Sequence, residues 1–350
     1  MRKLEFNKSI NEALEISMKK NSKVILLGLG VDDPKSIFGT THNLVEKFGK
    51  KRVFDMPTAE NGMTGIAIGA SLSGFFPVIT HQRVEFALLS MEQIINQAAK
   101  WFYMNAGQMS VPIVIRLIVG RGWGQGPQHS QSLENLFSSI PGLKVVCPSS
   151  ARDAKGLLIS SIEDKNPVIF YEHRWLHQTY SDVPKGYYKT QIGKCNILKK
   201  GKDITIVSNS YMSLESYKAA KVLKKIGIDA EVIDLRSLRP LDSKTILSSV
   251  NKTKKLLVVD GGWPQYGISS EIISIISEKM NSLKKIKTSR LSIADVPIPS
   301  TRALAKFCYP SPKNIVEKTL SMLNKKNKNI SKFFTKDNND VPDKSFQGPF

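Results

Sequence analysis

The chain has 350 residues, 41% of them hydrophobic, which is a globular composition and a length that accommodates two domains with separate cores or one large α/β domain. No apolar run approaches the ~20 residues of a membrane-spanning helix, and MRKLEFNKSINEALEISMKKN lacks the apolar block and small-residue site of a secretory signal, so the sequence reads as cytoplasmic. The net charge of +21 invites nucleic acid as a partner, but 40 Lys and 11 Arg are spread along the chain without zinc-finger or RNP-type spacing, which favours a solvated lysine-rich surface.

In chain order, Phe6, Ile10, Leu14 and Met18 recur every fourth residue and predict a helix. VILLGLG, residues 24 to 30, predicts a buried strand. A helix near 42 to 48, a strand at 53 to 55, a small-residue helix over 61 to 73 and a strand at 76 to 80 follow. Leu88, Met91, Ile95, Ala98 and Phe102 predict an apolar stripe on a helix near 87 to 103. VPIVIRLIV, at 111 to 119, is apolar almost throughout, as expected of a strand covered on both faces. KVVCP, a helix near 151 to 163, and PVIFYE complete this block.

HRWLHQTYSDVPKGYYKTQIG, at 173 to 193, reads as a linker with pieces of structure of its own. After it come ITIVS, a helix over 212 to 226, AEVIDL, a helix over 242 to 250, LLVVD, a helix over 268 to 280, a strand near 288 to 293 and a helix near 313 to 323. Such alternation predicts two parallel-sheet α/β domains. The boundaries read as 1–180, a linker at 181–200, 201–324, and a basic polar tail at 325–350.

Chemistry-bearing residues are few. Cys147, Cys195 and Cys308 are distant from one another, so they suggest neither a disulfide framework nor a thiolate zinc site. The loop VGRGWGQGPQHSQSLENLF has glycines at 120, 122, 124 and 126. It lacks the Lys-Ser/Thr of a P-loop and the spacing of a dinucleotide fingerprint, and is either a flexible surface loop or a ligand-contacting one. His129 stands at the C-terminal end of a predicted strand, where open α/β sheets meet ligands, and Ser130 or Ser132 is placed to cap the helix that follows. His173 and His177 are four apart with no third ligand nearby, so no metal is assigned to them. Glu60 opens a helix rich in Gly and Ala, where a carboxylate is favoured by the helix N-terminus alone.

Five separated motifs in order, TAENGMTGIAIGAS, EQIINQAAKWFYMNAGQMSVPIVIR, QHSQSLENLFSSIPGLKVVCPSSARDAKGLLISSIEDKNPVIFYE, VIDLRSLRPLD and VVDGGWPQYGISSEI, carry a likeness that runs from about residue 4 to 323. Through them the chain resembles the beta subunit of the thiamine diphosphate-dependent decarboxylating component of 2-oxoacid dehydrogenase complexes, of the pyruvate and branched-chain type, in the transketolase-like superfamily. The resemblance implies an α/β fold with a pyrimidine-binding domain followed by a transketolase C-terminal domain. It implies that Glu60 hydrogen-bonds the cofactor's pyrimidine nitrogen and so promotes loss of the thiazolium proton. Phe86 takes the position of an aromatic packed on the pyrimidine, and His129 that of the histidine near the reacting carbon. A structural potassium site, mostly of backbone carbonyls, falls on Ile113, Ser161, Ile162, Asp164 and Asn166.

The chain has no GDG followed by a distant asparagine, the pattern that brings magnesium and diphosphate in these enzymes. The family carries it on a separate alpha subunit, which implies an active site between chains, an α2β2 tetramer and a lipoyl acyltransferase as acceptor. The chain also departs from its family. An acidic pair after the first strand becomes Leu29-Gly30, with Asp32 and Asp33 the nearest acids; EFMTFNF becomes THQRVEF; and GPNG becomes LIVG, followed by Arg121 and Trp123. Arg83, Arg121 and Trp123 are therefore candidate substrate-pocket residues, and the two arginines suggest a substrate with an extra anionic or polar group. Two alternatives stand beside this one. A split transketolase-like enzyme would form carbon-carbon bonds in biosynthesis, and a non-catalytic scaffold or nucleic-acid-binding protein would bind in a salt-dependent way and tolerate Glu60→Gln.

Overall fold

Runs that are apolar at every position become strands covered on both faces: Val24–Gly28, Val114–Val119 and Val168–His173 are buried throughout. They form the middle of a seven-stranded sheet in the computed structural model, which describes residues 1–280, 286–326 and 329–334. The strand order is Ser237–Arg239, Lys144–Val146, Val168–His173, Val114–Val119, Phe76–His81, Val24–Gly28, Val53–Asp55. Every pairing is parallel except that of Ser237–Arg239. A second sheet of five strands runs Lys287–Leu291, Lys255–Val259, Ile204–Ser208, Ala230–Asp234, Asn196–Lys199, antiparallel only at the last pair. The two mainly parallel sheets are the α/β architecture that the alternating pattern predicts.

Chain connectivity crosses between the sheets. Within 181–200, read as linker, Asn196–Lys199 adds an edge to the second sheet, and just before it Tyr180–Val183 pairs with Arg2–Glu5. Ser237–Arg239, inside the second alternating block, returns to edge the first sheet. The helix Phe6–Lys20 buries Phe6, Ile10, Leu14 and Met18, the four residues whose spacing predicts it, against Ala151–Ile162. Residues 335–350 of the predicted tail lie outside the described residues. No helix among the described residues is long and apolar enough to cross a membrane.

The helix predicted over 87 to 103 is instead three segments: a 3-10 turn Val84–Ser90, a π-helical turn Gln93–Ala98 and an α-turn Ala99–Met104. Val84 and Ala87 of the 3-10 turn are buried and Leu88 is exposed; the π turn then adds a residue and rotates the inward face, so that Ile94 joins Ala98 of the predicted stripe in the core while Phe102 of that stripe is exposed. The helix after His129 begins at Glu134 with Leu133 at its N-cap, and neither Ser130 nor Ser132 caps it.

One polar network lies inside this apolar sheet. The fully buried Arg116 guanidinium meets the fully buried Glu172 carboxylate on the adjacent strand, with Nη2 to Oε2 at 3.0 Å, and also donates to Thr80 Oγ1 at 3.2 Å and Thr40 Oγ1 at 2.9 Å. His177 Nε2 stands 3.4 Å from the same carboxylate. Burial alone would raise the Glu172 pKa, but Arg116 and His177 together outweigh it and the group is pushed down to about 2. Through Thr40 this network holds the loop that follows Val24–Gly28, and that loop forms one wall of the site.

Candidate functional site

Three loops leave the C-terminal ends of neighbouring parallel strands, the edge at which open α/β sheets collect ligands. Residues 29–41 follow Val24–Gly28, residues 82–90 follow Phe76–His81, and residues 120–133 follow Val114–Val119. They enclose a cavity of about 240 Å³ whose lining includes Asp33, Phe38, Gln82, Arg83, Phe86 and His129. The rings of Phe86 and His129 meet edge to face with centroids 5.5 Å apart.

The first loop is fixed by Asp55, whose carboxylate accepts the N–H groups of Gly30 at 2.9 Å, Val31 at 2.5 Å and Asp32 at 3.3 Å. It then takes a left-handed path at Ser36, Ile37 and Phe38, with φ of 50°, 45° and 60°. Each non-glycine residue there costs about 1–3 kcal/mol and persists only if its surroundings hold it. Asn7 Nδ2 holds the Phe38 carbonyl at 3.0 Å, Thr41 Oγ1 donates to the Val31 carbonyl at 2.8 Å, and Thr40 is tied to Arg116. The Phe38 ring presented in this way lies against two guanidinium groups, Arg174 at 4.5 Å and Arg83 at 5.4 Å.

Arg83 is buried and donates to the Gln82 carbonyl at 2.7 Å and to Gln125 Oε1 at 3.2 Å. Glu85 accepts the Gln131 N–H at 2.8 Å, which anchors the segment carrying His129 beside Phe86. Burial raises the Glu85 pKa, and it lowers that of His81, whose ring nitrogens have no partner, to about 4. Gly120 lets the third loop close up: a Cβ there would lie 2.1 Å from the His129 carbonyl oxygen. Gly120→Ala is expected to displace His129 and to cost about 1–3 kcal/mol through overpacking. Urea unfolding and the NMR shifts of the His129 ring would check this, and an unmoved ring would refute it.

Glu60 is the first residue of the helix Glu60–Leu72 and is 7% exposed. Its carboxylate makes no hydrogen bond or ion pair with another described residue, and it lies apart from the lining of the Phe86–His129 cavity. The two arginines named from the sequence part company. Arg83 lines this cavity, whereas Arg121 faces a smaller one toward the second domain, and Trp123 stands 40% exposed with a left-handed φ of 58°. Phe38 and Gln82 carry no signal in the sequence, and Asp33 stands out there only as one of the two nearest acids, because only the left-handed turn brings the first of these loops to the other two. Arg116 and Glu172 did carry a signal, a lone charge inside each of two apolar strands.

The five positions of the potassium pattern gather around the end of Ala151–Ile162. The Ile113 carbonyl accepts from the Val168 N–H at 2.9 Å and the Ser161 carbonyl from the Asp164 N–H at 3.3 Å. Asp164 takes Lys144 Nζ at 2.5 Å and the Asn166 N–H at 2.9 Å. Each carbonyl keeps a second lone pair, so the donor set is compatible with a hard cation, while Lys144 already neutralises the one carboxylate.

Residues 2–178 match the transketolase pyrimidine binding domain and residues 193–315 the transketolase C-terminal domain. The chain is 41% identical over 312 residues to the mitochondrial pyruvate dehydrogenase E1 component subunit beta of Pisum sativum, covering 88% of this chain and 87% of that one. It is 40% identical over 324 residues to the acetoin:2,6-dichlorophenolindophenol oxidoreductase subunit beta of Cupriavidus necator, covering 90% and 96%. The fold superposes with a TM-score of 0.75 on a split-gene transketolase in an inactive beta4 tetramer, at 23% identity over 93% of this chain and 99% of that one. With both domain families matched in order and such identity along nearly the whole length, the chain belongs to the beta subunits of the thiamine diphosphate-dependent, 2-oxoacid dehydrogenase-type E1 family.

Proposed function

We propose that the chain is the beta-type half of a 2-oxoacid dehydrogenase that decarboxylates a 2-oxoacid oxidatively and passes the acyl group to lipoamide. The active site is shared with an alpha subunit in an α2β2 tetramer in the cytoplasm, and the acceptor is a lipoyl acyltransferase. The alpha subunit holds magnesium and the diphosphate. The observation that carries this reading is the convergence of Phe86 and His129 on one cleft at the carboxyl edge of the first sheet, in a chain of this family.

The residues fit a thiamine-type cofactor: Glu60, a largely buried residue, offers a carboxylate with no partner among the described residues, and Phe86 offers an aromatic surface. When bound, the cofactor supplies the electron sink for decarboxylation. Glu60 holds and returns a proton at the pyrimidine nitrogen. Phe86 packs on that ring, and His129, steadied through Glu85 and Gln131, orients substrate or acceptor. Arg83 is the one arginine on this cavity, and it favours a substrate bearing an anionic or polar group beyond its 2-oxo acid. A potassium ion on the carbonyls of Ile113, Ser161 and Ile162, with Asp164 and Asn166, would clamp the helix end structurally.

Cleavage of a hydroxyketone such as acetoin is the second reading, favoured by near-equal identity to the pyruvate and acetoin subunits. The assembled pair, given thiamine diphosphate and magnesium, should turn over one member of a panel of 2-oxoacids and acetoin. Lipoyl reduction distinguishes this function from transfer to an aldehyde by a split transketolase, and no cofactor-dependent turnover of any kind would sink the proposal. Arg83→Ala should lower kcat/KM by about 10-fold or more for carboxylate-bearing substrates. An equal loss for plain 2-oxoacids would remove its role in selectivity.

A further inference from the structure

The cavity of Phe86 and His129 is not uniform in charge. Arg83 and the exposed Lys35 bring positive charge to its lining, and Asp33 is the one acid there among the described residues. Asp33 is half-buried and belongs to the loop that follows Val24–Gly28 and carries Phe38. Its two oxygens are used differently. Oδ1 accepts the Ser36 N–H at 2.6 Å, at the start of the left-handed turn. Oδ2 has no hydrogen-bond or ion-pair partner among the described residues.

That oxygen reaches over Gly30, and so does Gln82. A Cβ at Gly30 would lie 2.9 Å from Asp33 Oδ2 and 2.4 Å from Gln82 Nε2, so a position without a side chain, at φ of 72°, gives both groups their room. Gln82 Nε2 donates to the Leu29 carbonyl at 3.0 Å, which fixes which end of its amide is nitrogen. Its Oε1 accepts nothing from the described chain. One wall of the cavity thus holds two acceptors, a carboxylate oxygen and an amide oxygen, that the described chain leaves without a donor.

Water hydrates such acceptors in an open cleft, but a substrate that fills the cavity displaces it, and each acceptor then costs free energy unless the substrate brings a donor. A carboxylate on the substrate can be met by Arg83 but not at this wall, where Asp33 repels it. An ammonium would be drawn to Asp33 and set against the charges of Lys35 and Arg83. A metal ion is not indicated, because no group of three His, Cys, Asp or Glu side chains among the described residues could hold one. A hydroxyl brings a donor and no charge, and so suits both signs.

We propose that Asp33 is a specificity-determining residue that selects a substrate with a hydroxyl on the carbon chain beyond its 2-oxo group, Oδ2 accepting the hydrogen bond of that hydroxyl beside Gln82. The inference rests on the 2-oxoacid reading above and deepens it by naming the polar group. Asp33 makes and breaks no bond in this role. It discriminates because an analogue without the hydroxyl leaves a carboxylate oxygen unmet in a filled cavity.

The test uses the chain assembled with its alpha subunit, thiamine diphosphate and magnesium, and two pairs of isosteric acids: hydroxypyruvate against 2-oxobutanoate, and 4-hydroxy-2-oxobutanoate against 2-oxopentanoate. In at least one pair the hydroxyl-bearing acid is expected to have a kcat/KM higher by about 10-fold or more. Asp33→Asn keeps an oxygen for the Ser36 N–H and puts an NH2 donor in place of Oδ2, so the preference is expected to fall to about one. Dissociation constants from isothermal titration of the pair without thiamine diphosphate are expected to follow the same order. An equal preference in Asp33→Asn, no preference in either pair, or a crystal structure of the assembled enzyme in which an alpha-subunit group donates to Oδ2 overturns the proposal. If none of these acids is turned over, the dissociation constants decide this inference by themselves, and the wider panel above decides the dehydrogenase reading. Should Asp33→Asn fail to assemble, the preference of the unaltered enzyme between isosteres decides alone.

Discussion

Glu60→Gln is expected to leave a folded, partner-competent subunit whose assembled enzyme turns over about 10²–10⁴-fold more slowly. The Glu60 side chain makes no hydrogen bond or ion pair with another described residue, and the amide is nearly isosteric with the carboxylate it replaces. The expected stability change is the loss of a carboxylate near a helix dipole, about 0.3–1 kcal/mol. An amide of the same shape still hydrogen-bonds a ring nitrogen but cannot accept and return its proton. Exchange of the thiazolium C2 proton, followed by NMR in the assembled pair, separates this step from substrate binding. Exchange and turnover at the unaltered rate would remove Glu60 from the chemistry and revive the scaffold reading.

Truncating the buried pair in the first sheet is expected to have the largest effect on stability. Glu172→Gln leaves Arg116 buried with its charge unmatched, and such losses run to about 3–5 kcal/mol. Urea unfolding at neutral pH measures the effect, and a change below about 1 kcal/mol would contradict it. The pair also sets an acid response. Because the folded Glu172 pKa lies at about 2, below its ordinary 4.5, its contribution is complete above 4.5 and is lost as pH falls toward about 2. The variant should lack that segment of the acid titration. Replacing both partners by apolar residues of similar volume should recover much of the loss, while freeing Thr40 and loosening the loop that carries Phe38.

How much of this was legible in the sequence depended on where each signal came from. Strands such as Val24–Gly28 and Val114–Val119 announce themselves because both faces are covered, so every position is apolar. The segment from 84 to 104 did not, since apolar residues lie on two sides of it and a π turn selects among them. Physics alone left Glu60 as a favourable helix-end charge and placed His129 at a ligand-meeting strand end without a role. The family motifs gave both their roles, and the fold brings His129 to Phe86. Phe38 could not be read, because three left-handed non-glycine residues in a row have no local signature and exist only through Asn7, Thr41 and Arg116. The aromatic rings around Arg121, those of Trp175, Tyr211 and Tyr309, come from three distant segments, so no spacing foretold them.

The strand Ser237–Arg239 gives the second domain a protective duty toward the first. It covers Lys144–Val146, which would otherwise present a row of unpaired amides and carbonyls at the rim of the seven-stranded sheet, the kind of surface on which another chain's strand can nucleate aggregation. A first domain cut away near residue 200 would lose that cover. The half that carries Glu60, Phe86 and His129 is therefore shielded along this edge by a segment that lies well over a hundred residues further along the chain.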